Sequence, residues 1–258
     1  MENFVITLAT GVMLSMVASA HAQVIFKDTF QENHGAQSYM NVQMTGVKPA
    51  PINAPGVSWD LASGDGTYEA FITPITPGNL ALMSSSACFH NVASAALSLA
   101  SGATFNKPSV LNISADVSFG GDSTSGCCYL GFYSSLPGKH TSDPEANFTG
   151  LRFQKNGNVQ LVENGKIATA PGVSYKGTYD PAKPVTLSYT IDTAKGTISN
   201  ASVSGSSNTY TFATTAFTNA ATAFAGIGGK TLGGGQCWAV FSEFQLSGTV
   251  PPRTGSQP

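Results

Sequence analysis

Residues 150–170 read GLRFQKNGNVQLVENGKIATA, and this stretch decides the fold. Three runs of strand-forming residues are divided by Asn156-Gly157 and Asn164-Gly165. Asn-Gly accepts the positive φ angles of a tight hairpin turn, and alternation on either side makes this a hairpin signature. Leu151, Phe153, Val159 and Leu161 fall on one face, while Arg152, Gln154 and Gln160 fall on the other. The spacing predicts an antiparallel meander with one face buried.

The same alternation recurs outward from this meander. Val24–Phe30 reads as the first strand, with Val24, Phe26 and Asp28 on one side. Leu111, Ile113, Ala115, Val117 and Phe119 alternate with polar residues, as do Val185, Leu187, Tyr189 and Ile191. Ala93–Ala103 reads as strand through its serine alternation. The loop GGDSTSG is expected to join residues 110–119 to Cys127–Ser134 as a second hairpin. Phe224–Gly228 and Cys237–Leu246 complete the set, on either side of Gly233-Gly234-Gly235. Short strands with turns every ~8–12 residues, uninterrupted by a long amphipathic helix, predict an all-β antiparallel two-sheet sandwich.

Phe4 to Ala20 is an uncharged apolar run followed by Ala20-His21-Ala22, an A-x-A-like cleavage site. Residues 1–22 are therefore expected to be a signal peptide, although Met1-Glu2-Asn3 lacks the usual positive charge; an uncleaved anchor is the alternative. Residues 23–249 are expected to form one sandwich domain and 250–258 a Pro-rich polar tail. The expected location is secreted or at the cell surface, with no membrane insertion once the signal is removed. Charged residues make up 10% of the 258 positions and the formal net charge is −2. An average soluble protein carries roughly 25% charged residues. Without a basic stripe there is no counterion release to drive nucleic-acid binding, and no attraction to anionic lipid. A surface of Ser, Thr, Asn and Gly also suits self-association.

Four cysteines, Cys88, Cys127, Cys128 and Cys237, imply two disulfides in an exported chain. Neighbours on a strand point to opposite faces, so Cys127 and Cys128 are expected to take different partners, Cys88 and Cys237. A Cys127–Cys128 vicinal bridge with Cys88–Cys237 is the alternative. Zinc is disfavoured, because the paired CxxC spacing is absent.

Three segments carry a family resemblance: residues 94–119 (SAALSLASGATFNKPSVLNISADVSF), residues 158–166 (NVQLVENGK) and residues 187–205 (LSYTIDTAKGTISNASVSG). Together they resemble the concanavalin A-like jelly roll, especially its laminin G-like branch. The resemblance implies a jelly roll whose first and last strands lie side by side. It also implies a choice among sugar-binding lectins, polysaccharide hydrolases and lyases, and adhesion modules.

The residues themselves narrow that choice. The E-x-D-x-x-E strand of the laminarinase-like hydrolases is absent, and a Glu69–Glu243 pair is the only candidate for two opposed acids. The lyase variants use an Arg-Glu strand, a Gln-x-His strand and a Tyr strand, and neither Arg152 nor Arg253 stands beside a Glu. Sugar recognition needs aromatic faces with amides nearby. Trp59, Tyr129 and Tyr133 are the candidate platforms, Trp238 reading rather as core, and Arg152, Gln154, Asn158 and Gln160 form the candidate polar row. Asp122, Asp143 and Glu145 offer oxygen ligands for a structural calcium, and no other cofactor is expected. The expectation is a non-catalytic module binding a glycan or matrix polymer. A structural subunit of a surface layer or appendage, and a polysaccharide-active hydrolase or lyase, are the alternatives.

Overall fold

The computed structural model describes residues 23–30, 42–43, 51–52, 58–63, 70–73, 86–90, 92–98, 110–121, 123, 125–133, 147–167, 173–174, 180–192, 195–206, 209–213, 224–232 and 237–248. Every regular element among them is a strand: β1 (Gln23–Asp28), β2 (Val42–Gln43), β3 (Pro51–Ile52), β4 (Ser58–Ser63), β5 (Ala70–Thr73), β6 (Ser86–His90), β7 (Val92–Ser98), β8 (Val110–Gly120), β9 (Gly126–Tyr133), β10 (Phe148–Gln154), β11 (Asn158–Glu163), β12 (Lys166–Ile167), β13 (Val173–Ser174), β14 (Val185–Asp192), β15 (Thr197–Val203), β16 (Thr209–Ala213), β17 (Phe224–Thr231) and β18 (Trp238–Gly248). They form two antiparallel sheets. The larger runs β16-β15-β14-β8-β18-β6-β5-β2, with β1 also on β18 and β3 on β1. The smaller runs β12-β11-β10-β9-β17-β7-β4, with β13 on β11.

The organising meander is as its sequence requires. Asn164 and Gly165 both take positive φ, 49° and 77°, the two-residue turn whose twist matches the flanking strands. The Asn156-Gly157 connection differs. It spans residues 155–157, with Gly157 alone at φ 90° and its amide donating to the Gln154 carbonyl at 2.8 Å. That is a three-residue loop closed by a left-handed glycine.

Each sheet turns one face inward. Leu111, Ile113, Ala115, Val117 and Phe119 of β8, with Leu187, Tyr189 and Ile191 of β14, meet Cys128, Leu130, Phe132, Leu151, Phe153, Val159 and Leu161 of the smaller sheet. Tyr189 crosses the gap directly: its hydroxyl donates to the Leu130 carbonyl at 2.6 Å. At one end Asp28 is buried, accepting from the Trp59 indole at 2.6 Å and from the Phe30 amide at 2.7 Å. Phe30 takes a positive φ of 57° there, and Trp59 packs edge-on to Phe244 at 5.3 Å. The first and last described strands lie side by side, from Gln23 opposite Gly248 to Asp28 opposite Phe244.

Two expectations are corrected here. Residues 110–119 and Cys127–Ser134 do not form a hairpin. β8 pairs with β14 and β18, whereas β9 pairs with β10 and β17 in the other sheet. Both strands bury an apolar alternation in the same core, so alternation alone cannot tell a hairpin from a crossover between sheets. The disulfide pattern also changes. Cys127, Cys128 and Cys237 are unbridged in this structure. By backbone register Cys88 lies opposite Val240, three residues beyond Cys237, or roughly 10 Å along the strand. That exceeds the ~7 Å over which a disulfide can join two Cα atoms, so Cys88–Cys237 is excluded.

Candidate functional site

The smaller sheet differs from an ordinary sandwich layer in being packed on both faces. Every residue of β9 is buried, as are Phe148–Phe153 of β10. On β9, Cys128, Leu130 and Phe132 turn inward and Cys127, Tyr129 and Tyr133 turn outward. Cross-strand register then fixes what stands beside each outward residue. Tyr129 is opposite Arg152 on β10 and Gly228 on β17, and Arg152 is opposite Gln160 on β11. One step along, Cys127 is opposite Gln154 and Lys230.

This outer face has two halves. The apolar half is paved by three glycines in one row, Gly226, Gly131 and Gly150. A Cβ on Gly131 would lie 2.7 Å from the tip of the Phe148 ring, and one on Gly150 would lie 2.9 Å from it. Phe148 therefore rests on the bare backbone. Tyr129 packs edge-on to it at 5.5 Å and Tyr133 is tilted against it at 5.2 Å. With Cys127 and Val162 these rings make a second, separate cluster.

The polar half is a line of amides. Asn158 Nδ2 donates to Gln154 Oε1 at 3.1 Å, and Gln154 Nε2 donates to Gln160 Oε1 at 3.0 Å. The line runs in one direction and ends at the Gln160 amide nitrogen. All three side chains are half-buried, while Arg152, opposite Gln160 on the same face, is only 7% exposed. Lys155 in the β10–β11 loop holds the neighbouring edge. Its Nζ donates to the carbonyls of Gly120, Gly121 and Ser123, at 3.5, 3.2 and 2.9 Å.

The structure thus brings together most of the residues the sequence singled out, in changed roles. Gln154, Asn158 and Gln160 form one continuous row, with Arg152 opposite Gln160 in the ladder. Tyr129 and Tyr133 are fully buried, so neither offers an open ring to a sugar; the glycine floor lets Phe148 lie between them. The Tyr129 hydroxyl accepts from the Cys127 thiol at 3.2 Å. Trp59 is a core residue tied to Asp28, far from this face in the fold, and is not a platform. Trp238 is half-buried on the larger sheet, opposite Gly120 and His90. Asp122, Asp143 and Glu145 lie outside the described residues, as does Glu69. Among the described residues no group of three or more His, Cys, Asp or Glu could hold a metal ion. Glu243 lies on the larger sheet, ion-paired to Lys27 at 2.9 Å. Sequence reasoning passed over Lys155, and it weighed Lys230 only within Gly228-Gly229-Lys230-Thr231 as a phosphate loop, a reading that fails; Lys230 stands opposite Cys127 at this face.

Cys128, Cys237 and Tyr189 have shifted proton affinities. Burial pushes the Cys128 thiol well above its ordinary value, and the neighbouring Cys127 and Cys237 add to this. Burial also raises Cys237, partly offset by Lys155. Tyr189 is raised well above its ordinary value by burial, with the Leu151 backbone pulling it partly back.

No protein-family model matches the sequence. No curated protein matches it either. Several solved structures are similar to it. A protein of unknown function from Shewanella oneidensis MR-1 superposes with a TM-score of 0.50 and 16% identity, covering 79% of this chain and 83% of that one. The carbohydrate recognition domain of Emp47p gives 0.46 and 11%, covering 83% and 97%. Alginate lyase A1-II', a member of polysaccharide lyase family 7, gives 0.42 and 12%, covering 76% and 80%. The chain is an all-β sandwich of two antiparallel sheets. At such identities the likeness concerns the fold alone, since one fold carries many unrelated sites.

Proposed function

We propose that this chain is an exported, non-catalytic carbohydrate-binding protein whose ligand lies along the amide row of the smaller sheet. The observation that carries this reading is the directional line Asn158–Gln154–Gln160, fixed on two adjacent strands and ending in amide donors. Primary amides both donate and accept, which matches sugar hydroxyls, and a rigid sheet holds them without an ordering cost at the moment of binding. Export is supported by the signal-like segment at residues 1–22.

A cleaving enzyme is the second reading, because Tyr129, Arg152 and Gln160 share one row. That set overlaps the Arg, Gln and Tyr strands expected of the lyase variants. Its weakness is on the same strand: Gln160-Leu161-Val162 carries valine where a Gln-x-His strand would carry its base.

A glycan array probed with the purified chain tests the proposal. Binding is expected, and Gln154→Ala with Gln160→Ala should weaken it about 10- to 30-fold, the loss of roughly two hydrogen bonds. Binding that survives the double substitution refutes the placement of the site. No binding to any glycan, with assemblies that grow with protein concentration, would favour a structural subunit instead. Unsaturated sugar ends released from a uronate polymer would favour the lyase.

A further inference from the structure

We propose that Cys128 and Cys237 close into a disulfide as the chain folds in an oxidising solution, bolting the smaller sheet to the start of β18. The pairing is independent of what the amide row binds. Both residues belong to the same buried core between the sheets. Cys237 is seated over Gly126: a Cβ there would fall 2.1 Å from the Cys237 Sγ and 2.7 Å from its Cβ. Gly126 and Cys128 are two residues apart on β9 and so share a face, with ~6.8 Å between their Cα atoms. The Cys237 thiol therefore sits above the residue next to Cys128, on the same side of β9 as the Cys128 side chain.

The backbone at Cys237 is fixed as well. Its amide donates to Thr231 Oγ1 at 3.2 Å, and that hydroxyl donates back to the Cys237 carbonyl at 3.4 Å. Thr231 is opposite Gly126 in the β9–β17 ladder, so the same pairing that builds the smaller sheet delivers residue 237 to this position. Other partners are worse placed. Cys127 points to the opposite face of β9 and donates to Tyr129. Cys88 lies too far along the ladder from Cys237.

The chemistry is thiol–disulfide exchange with a small-molecule disulfide such as oxidised glutathione. Two S–H bonds break and one S–S bond forms. Two electrons and two protons pass to the oxidant, which leaves as two thiols. Cys128 and Cys237 are both buried in the finished fold, so the exchange takes place before the sheets close.

The test uses the full chain, unfolded in denaturant with reductant and refolded in a glutathione redox buffer. Free thiols are then alkylated, and a chymotryptic digest is mapped without reduction. One cross-link is expected, joining the Cys127-Cys128 peptide to the Cys237 peptide. It should persist in Cys127→Ser and vanish in Cys128→Ser and in Cys237→Ser. Reduction should lower the denaturant midpoint of the oxidised native-sequence chain and leave that of Cys128→Ser unmoved. A cross-link containing Cys88, one that survives Cys128→Ser, or free thiols at both positions in the refolded native-sequence chain would overturn the proposal.

Discussion

Replacing Tyr189 with phenylalanine removes one oxygen atom from the centre of the sandwich and leaves the ring in place. That oxygen is the donor in a 2.6 Å bond to the Leu130 carbonyl, so it links the larger sheet to the smaller one through the core. A buried hydrogen bond is worth about 0.5–1.5 kcal/mol net, and an orphaned buried partner costs about 1–3. Leu130 is opposite Leu151 in the β9–β10 ladder, which places its carbonyl among strand amides. The loss expected for Tyr189→Phe is therefore about 1.5 kcal/mol at neutral pH, or roughly 3–6 °C in Tm for a domain of this size. Denaturant unfolding followed by the fluorescence of Trp59 and Trp238 measures it, with an unchanged slope against denaturant.

The pH dependence provides the sharper check. Burial raises the Tyr189 phenol well above its ordinary 10.0. Above pH 10 the unfolded chain gives up that proton while the folded chain keeps it. Stability then falls with rising pH by about 1.4 kcal/mol per unit until the folded value is passed. The phenylalanine variant lacks this contribution, so its deficit at pH 7 should close near pH 11. In the reduced protein Cys128 and Cys237, raised in the same direction, make both chains less stable from about pH 9 and cancel in the comparison. A loss below about 0.5 kcal/mol at pH 7, or a deficit that stays constant from pH 7 to 11, would refute the reasoning.

Two further outcomes are expected. Trp59→Phe removes the indole donor from the buried Asp28 carboxylate and should cost about 3 kcal/mol in denaturant unfolding, since bonds to charged groups are worth about 1.5–3 and the smaller ring adds a void. The cost should shrink when Asp28 is already replaced by alanine. At Gly131 an added Cβ would meet the Thr149 carbonyl at 2.4 Å and the Gly150 Cα at 2.8 Å, backbone on both sides. At Gly248 it would meet the Leu111 Cδ2 at 2.6 Å, a side chain that can turn. Gly131→Ala should therefore lose about 3 kcal/mol and Gly248→Ala about 1, as read from thermal unfolding; equal losses would contradict the packing described.

What could be read from the chain follows from what alternation encodes. One-sided burial of Leu111–Phe119 and Val185–Ile191 is written residue by residue, and the Asn164-Gly165 turn requires its two positive φ angles from its own sequence. Which sheet a strand joins is not written locally, so β8 and β9 read as a hairpin although they separate into different layers. The site was legible as a row, because Arg152, Gln154, Asn158 and Gln160 belong to one hairpin whose register the turn fixes. The aromatic half was not. Tyr129 and Tyr133 look like surface platforms until the row Gly226–Gly131–Gly150, drawn from three separate strands, makes room for Phe148 between them.

The place of β18 has a consequence for how the molecule is made. It is the last described strand, yet it sits mid-sheet, with β8 along one edge and β6 and β1 sharing the other. During synthesis the larger sheet therefore stays split into separate pieces until Gly248 has cleared the ribosome. Contacts spanning most of the chain must then form at once, which makes for slow, late closure and a long interval as an open chain. A nascent protein of this design remains threadable through a narrow channel for nearly its whole period of translation.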